Sequence, residues 1–265
     1  MPRIALGLEY DGTDFAGWQA QTNARSVQSA LEFAVSRVAD HPVTVSAAGR
    51  TDAGVHALGQ VVHFESDAPR AADQWLLGIN SSLPADASVR WVRQVAPDFD
   101  ARRSALWRRY VYLIQQGTTR SALVRRHVWW VRAKLDQAAM HAAAQAWLGE
   151  NDFSAFRAAG CQSTTPMRNL HAARVIQRDD FVLLEFTANA FLYHMVRNFV
   201  GTLAQVGQGR LSVAQAATIL AGRDRTAAGE TAPACGLTLA EVRYPDSAGI
   251  PPPPRSLWLE GDWPD

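Results

Sequence analysis

The chain predicts an α+β fold of two similar sheet-bearing halves with a cleft between them, and three observations carry that expectation. Short runs alternate apolar residues with period two, as in Ile4, Leu6, Leu8 and Tyr10. Other segments repeat apolar residues at helical spacing, as in Val27, Ala30, Leu31, Ala34, Val35 and Val38. The order of strand, helix, paired strands and further helix is then met twice along the chain.

Residues 3–11 read as a strand, and 26–39 as a helix with Ser26 placed to cap its N-terminus. Strands near 43–48 and 58–66 follow, then a short helix near 71–80. Val89, Trp91 and Val95 share one face of a further strand, interrupted by Arg93. The second series opens with the strand Tyr110 to Ile114. An alanine-rich helix at 136–148 has Asp136 as its cap and Gly149 as its stop. Strands at 170–178 and 181–188 are separated by an Asp179-Asp180 turn. Helices at 191–206 and 212–221 precede a last strand, Gly236 to Tyr244. The expected organisation is a first half at 1–105, a second at 106–246, and an irregular tail at 247–265 containing Pro251 to Pro254.

At 265 residues the chain can bury a sizeable core. It has no run of eighteen apolar residues and no signal-peptide h-region, so a soluble, cytoplasmic protein with no membrane partner is expected. Cys161 and Cys235 lack CxxC or Cys/His spacing, which argues against a disulfide framework or a structural metal site. Net charge is +1 but unevenly spread. Between Asp100 and Asp136 there is no acid, while Arg102, Arg103, Arg108, Arg109, Arg120, Arg125, Arg126, Arg132 and Lys134 are all cationic. Such a segment is the electrostatic footprint of a polyanion partner. All basic residues but Lys134 are arginine, which suits phosphate and base recognition; GC-rich codon usage would give the same bias.

No GxxxxGK[ST], GxGxxG after the first strand, GxSxG or HExxH occurs, so nucleotide hydrolysis, dinucleotide redox and the common hydrolase sites lose support. The seven histidines are scattered without metal spacing. The loop Ala48-Gly49-Arg50-Thr51-Asp52-Ala53-Gly54-Val55-His56 is more informative, because it holds Asp52 between two glycines with Arg50 two residues earlier. It reads either as a rigid mount for a reactive carboxylate or as a hairpin with a surface Asp-Arg pair. Tyr110, after Arg108-Arg109, suits stacking on a base beside held phosphates, or a place in the core. Arg197 lies off its helix's apolar stripe, near the flank of Tyr193 and Gly201, facing either a groove or solvent. Leu237 has an ordinary core reading.

Tyr10-Asp11-Gly12-Thr13, Gly17-Trp18-Gln19, the Asp52 loop, Asn151 to Phe156, and Phe191 through His194-Met195-Val196-Arg197-Asn198 together resemble the tRNA pseudouridine synthase A (TruA) family, in order from about residue 3 to 245. The Gly-Arg-Thr-Asp-Ala-Gly-Val-His core is its most specific part. The resemblance implies two ferredoxin-like (RNP-like) halves joined into a continuous antiparallel sheet flanked by helices. It implies an isomerase converting uridine to pseudouridine at nucleotides 38 to 40 of the tRNA anticodon arm, acting as a homodimer without cofactor or metal. On this chain it makes Asp52 the catalytic aspartate, Arg50 its motif arginine, Tyr110 the active-site tyrosine, Arg197 the arginine pairing with the aspartate, and Leu237 the apolar floor. Arg102, Arg108, Arg109 and His56 are expected to contact the RNA. Some family members have His where this chain has Asp100, which leaves the role of that position open. Two other classes compete: an RNA-binding module without catalysis, and a hydrolase using Asp52 with His56 or His63.

Overall fold

The computed structural model describes residues 1–253. Ten strands and five α-helices occur among them, and they form two compact units. Among the described residues, one unit holds Met1–Trp107 and Thr238 to Pro253; the other holds Arg108–Leu237.

The first unit opens with β1 (Arg3–Tyr10), α1 (Val27–Ala39), the two-residue β2 (Ser46–Ala47), β3 (His56–Glu65), α2 (Ala72–Asn80) and β4 (Ala87–Val95). The strands order β4-β1-β3-β2, all antiparallel, which is the ferredoxin-like arrangement. Strand β1 is central and buried on both faces, so it carries Ile4, Ala5, Leu6 and Leu8 almost without interruption. Gly7 in its middle makes room for Trp91 of β4, whose indole would lie 2.1 Å from an added Cβ. Ser26 caps α1 by accepting a hydrogen bond from Ser29 N (3.2 Å), and Val27, Leu31, Ala34 and Val35 face the core. Val38 is turned to α2 instead, against Gly78. The strand expected at 43–48 shrinks to two residues. Val43 N and Val45 N donate to Ser36 Oγ (2.9 Å) and Glu32 Oε1 (3.0 Å) of α1, so they are lost to a ladder.

The second unit contains β5 (Trp107–Gln116), β6 (Trp129–Val131), α3 (Gln137–Gln145), β7 (Gly149–Asp152), β8 (Met167–Arg178), β9 (Phe181–Ala188), α4 (Met195–Gly207) and α5 (Val213–Gly222). Its strands order β5-β9-β8-β7, antiparallel, with β6 parallel to β5. Phe199 of α4 sits at the middle of the core, against Trp147 (5.0 Å, stacked), Phe156 (4.7 Å), Phe186 (5.3 Å) and Phe153 (5.6 Å). Each such side chain stabilises the fold by roughly 1.5–3 kcal/mol on burial.

Three expectations change in this unit. The helix expected to run to 148 ends at Gln145 in a tight turn that drops Trp147 into the core, its Nε1 donating to Ala216 O (3.0 Å). Gly149, at φ +90°, then opens β7 rather than merely stopping the helix. The helix expected from 191 starts at Met195, because His194 takes a left-handed conformation (φ 59°) and Phe191 packs edge-on against Tyr110 (5.1 Å).

The chain returns to the first unit with β10 (Leu237–Arg243), which pairs parallel to β3 through Thr238 and Leu239. The start of the expected tail is ordered there: Arg93 Nη1 donates to Gly249 O (3.2 Å), and Pro253 packs at Gly59. The tail from Pro254 lies outside the described residues. No described helix is long and apolar enough to cross a membrane.

Candidate catalytic site

The sequence-derived site residues fall in both units. Arg50, Asp52, His56 and Arg102 belong to the first; Arg108, Arg109, Tyr110, Arg197 and Leu237 belong to the second.

In the first unit, Asp52 sits in the connection between β2 and β3, partly exposed, in a turn closed by Val55 N donating to Asp52 O (3.1 Å). The segment after β1 clamps this turn. Trp18 N donates to Thr51 O (3.0 Å), and Gly54 N donates to Phe15 O (3.3 Å). Gly17, at φ +94°, lies so close that an added Cβ would stand 2.8 Å from Thr51 O. An added Cβ on Gly12 would stand 2.0 Å from Val55 O. These contacts give the glycines of the Tyr10 to Gln19 segment a physical purpose: backbone meets backbone with no space for a side chain.

Buried hydrogen bonds support the turn from below. Tyr10 Oη and Thr51 Oγ1 are 2.8 Å apart, and Gln60 Nε2 donates to Gly49 O (2.7 Å). Burial pushes the Tyr10 phenol up to about 12, so it stays a neutral hydrogen-bonding group. Phe15 and Trp18 pack around its ring at 6.4 Å each. His56 is 4% exposed; its Nδ1 accepts from Gly12 N (3.0 Å) and lies 3.1 Å from Asp11 Oδ1, which ties the loop after β1 to the start of β3. His63 Nδ1 likewise accepts from Ala101 N (3.1 Å), and burial lowers the imidazole's pKa.

Asp100, whose role the sequence left open, closes the turn that carries Arg102 and Arg103. Its Oδ1 accepts from both of their backbone N–H groups (2.8 Å each). Burial pushes its carboxyl up, but those N–H donors, with His63 and Arg103 nearby, outweigh it and hold the pKa below the usual carboxylate range. The side chains of Arg102 and Arg103 extend into solvent.

In the second unit, Tyr110 on β5 is 9% exposed, with the edge-on Phe191 ring beside it. Arg108 and Arg109 precede it, as the sequence shows, but both are engaged within the unit. Arg108 is 8% exposed and donates from Nη1 to Asn189 O (2.9 Å); Arg109 pairs with Glu185 (3.2 Å) across the β5–β9 register. The exposed cations of the basic segment in this unit are Arg120, Arg125, Arg126, Arg132 and Lys134.

Arg197 is fixed by a neighbour that sequence reasoning did not find. Its Nε donates to Ala232 O (2.7 Å), while Ala232 N donates to Arg197 O (3.1 Å). The segment carrying Ala232 is itself tied to α4: Asn198 Oδ1 accepts from Arg225 Nη2 (2.9 Å) and Thr231 Oγ1 (2.7 Å), and Thr202 Oγ1 accepts from Gly229 N (2.9 Å). Arg197, Asn198, Gly201 and Thr202 thus form one working flank of α4. The available signal was a buried Asn and a Gly set around the expected arginine at helical spacing. The Arg197 cation lies near two groups whose burial pushes their pKa values up, the Tyr112 phenol and the Cys235 thiol. Leu237 is 5% exposed at the start of β10, just after Gly236, which leaves no room for a Cβ beside the Tyr112 ring (2.5 Å).

Comparison with known proteins adds to this geometry. A family model described as tRNA pseudouridine synthase matches residues 8–102 and 143–245. A tRNA pseudouridine synthase A of Aeromonas hydrophila is 52% identical over 258 residues, 97% of this chain and 96% of that one. Its counterpart in Shigella boydii is 51% identical over 252 residues (95% and 93%), and one in Legionella pneumophila 48% over 259 (97% and 99%). A chain in the crystal structure of an archaeal box H/ACA Nop10-Cbf5 complex aligns with a TM-score of 0.36 at 11% identity, over 76% of this chain and 44% of that chain, too loosely to add to the fold described above.

Proposed function

The chain belongs to the tRNA pseudouridine synthase family, and on that premise we propose that it isomerises uridine to pseudouridine at nucleotides 38, 39 and 40 of the tRNA anticodon arm, with Asp52 as the catalytic carboxylate. The observation that carries this reading is the mounting of Asp52. Its turn is held by backbone hydrogen bonds to the Phe15–Trp18 segment and by the Tyr10–Thr51 pair beneath, while Asp52 itself stays partly exposed. Catalytic groups gain from such fixed placement because no reorganisation is needed as the reaction proceeds.

The reaction breaks the uracil N1–C1′ bond, turns the base and joins C5 to C1′; the C5 proton is lost and N1 gains one. Atoms and oxidation state are conserved, so the protein must supply a nucleophile or base, a way to hold the free uracil, and charge to orient the carboxylate. Asp52 takes the first role. Tyr110 stacks on the base, Leu237 forms the apolar floor, and Arg50 and Arg197 provide the charge, as in the family the chain belongs to. The fixed guanidinium of Arg197, bound through Nε to Ala232 O, supports that part. The target nucleotide leaves the stem to reach these groups, at a cost of a few kcal/mol that phosphate contacts offset.

The exposed cations Arg102, Arg103, Arg120, Arg125, Arg126, Arg132 and Lys134 suit phosphate binding better than Arg108 and Arg109, whose guanidiniums already face Asn189 O and Glu185. Replacing Arg125 and Arg126 together by Ala should weaken tRNA binding and flatten the slope of log affinity against log salt by roughly one to two. A slope equal to wild type would remove both from the phosphate-binding set. The protein is further expected to act in the cytoplasm as a homodimer, checked by light scattering in solution.

The deciding assay incubates the protein with an unmodified tRNA transcript and maps pseudouridine by a modification-sensitive readout. Product at nucleotides 38 to 40 is the expected result. Product elsewhere in the tRNA would overturn the site assignment. Binding without product, or strand cleavage, would overturn the isomerase reading.

A further inference from the structure

The connection from β9 to α4 carries an aromatic surface that the proposed chemistry does not use. Tyr193 is 45% exposed, whereas the other four tyrosines, Tyr10, Tyr110, Tyr112 and Tyr244, are all buried. Its ring lies over the His194 imidazole, with centroids 3.9 Å apart and planes tilted by 32°. On a flexible segment the exposed Tyr193 ring and the half-buried His194 ring would lose this arrangement. Here the backbone is held on both sides: Ala158 N donates to Tyr193 O (3.1 Å), and Tyr193 N donates to Cys161 Sγ (3.5 Å).

The bracing loop is fixed in turn. Arg157 Nη2 donates to Cys161 O (3.1 Å) and Ser163 O (2.7 Å), and Arg168 Nη2 donates to Ser163 Oγ (2.6 Å). His194 holds a left-handed backbone conformation, φ 59°, which residues other than glycine rarely adopt. Its carbonyl nonetheless accepts the first-turn hydrogen bond of α4 from Asn198 N (2.9 Å). A strained backbone at the end of an element, kept by surrounding contacts, is a recurrent mark of functional positions. The segment also lies beside the proposed site: Phe191, two residues earlier, touches the Tyr110 ring, and Arg197 follows four residues later on α4.

We propose that the Tyr193–His194 pair is a stacking platform for a nucleobase of the tRNA anticodon arm other than the target uridine, holding the neighbouring strand while the target is extruded. The inference rests on the tRNA reading of the same site. Aromatic platforms take bases through their π-faces, tolerate sequence, and add no phosphate contact. One enzyme meeting uridines at three successive positions needs a hold of that tolerant kind.

The test compares Tyr193→Ala and Tyr193→Phe in the full chain, using tRNA transcript and an anticodon stem-loop with 2-aminopurine beside the target uridine. Tyr193→Ala should raise KM about ten-fold, the loss of one stacked base, with kcat within about two-fold. Tyr193→Phe should stay within about two-fold of wild type in both. The salt slope of binding should be the same in all three proteins, because no phosphate contact is lost. Wild-type protein should quench the 2-aminopurine, and Tyr193→Ala should not. An unchanged KM in Tyr193→Ala, or equal losses in both variants, would overturn the platform. So would a change of oligomeric state in Tyr193→Ala, which would assign the surface to a second copy of the chain. If Tyr193→Ala does not fold, the wild-type quench decides, and its absence overturns the proposal. Active wild-type enzyme with an indifferent Tyr193→Ala defeats the platform alone; wild type that makes no pseudouridine defeats the functional reading and the platform with it.

Discussion

Asp52→Ala is expected to lower pseudouridine formation by at least about 10³-fold while tRNA affinity stays within a few-fold of wild type. The two halves of that expectation have different physical sources. In the proposed reaction, turnover would rest on the Asp52 carboxylate, the one acid between Asp40 and Glu65. Binding would rest on phosphate contacts spread over exposed arginines. The variant should also fold. Asp52 is partly exposed, and the backbone hydrogen bonds of its turn, Val55 N to Asp52 O and Trp18 N to Thr51 O, are ones that alanine keeps. Single-turnover measurement with enzyme in excess, alongside filter binding, checks both halves. Conversion near the wild-type rate would remove Asp52 from the chemistry.

Gly201→Ala should destabilise the protein and depress activity, against the direction that helix propensity alone gives. In an exposed helix interior, replacing Gly by Ala stabilises by about 1 kcal/mol. Gly201 lies inside α4 and its φ is ordinary, so the backbone itself would accept alanine. The added Cβ, however, would stand 1.7 Å from the backbone oxygen of Glu230. Backbone cannot swing aside as a flexible side chain does, so the 229–232 segment must move, at a cost of about 1–3 kcal/mol. That segment holds Arg197 through Ala232 and donates to Thr202 through Gly229 N. Loss of stability and loss of kcat should therefore appear together. A urea midpoint at or above wild type would show that packing at this contact is looser than described.

The elements read most directly from the residues were those whose side chains alone specify them. Helix α1 was legible because Ser26 and the Val27–Leu31–Ala34–Val35 stripe lie within one continuous segment. Helix α5 was expected near 212–221, and the structure shows Ser212 and Gln215 forming the capping box that starts it. The misread elements were decided by distant partners. Val43 and Val45 alternate as a strand should, yet their amides bond to α1. Phe191 and Leu192 continue the α4 stripe, yet the Tyr110 ring and the His194 turn keep them outside the helix. At the site, Asp52, Tyr110 and Arg197 could be named from motif residues, whereas Gln60 and Ala232 could not. Their contributions are hydrogen bonds to chain segments 11 and 35 residues away.

By itself, the sequence determined the α+β class, the uneven placement of cations, the family and the identity of its candidate carboxylate. Those properties are local: periodicity, charge and a contiguous motif are complete within a few residues of chain. Only the tertiary structure decided that the Tyr10 to Gln19 segment grips the Asp52 turn, that Arg197 is held by Ala232, and that Arg108 and Arg109 are engaged by Asn189 O and Glu185. These outcomes depend on which backbone groups meet across long stretches of chain. Close approach at Gly12, Gly17 and Gly201 makes those meetings possible. A sequence records such glycines without showing what stands opposite them.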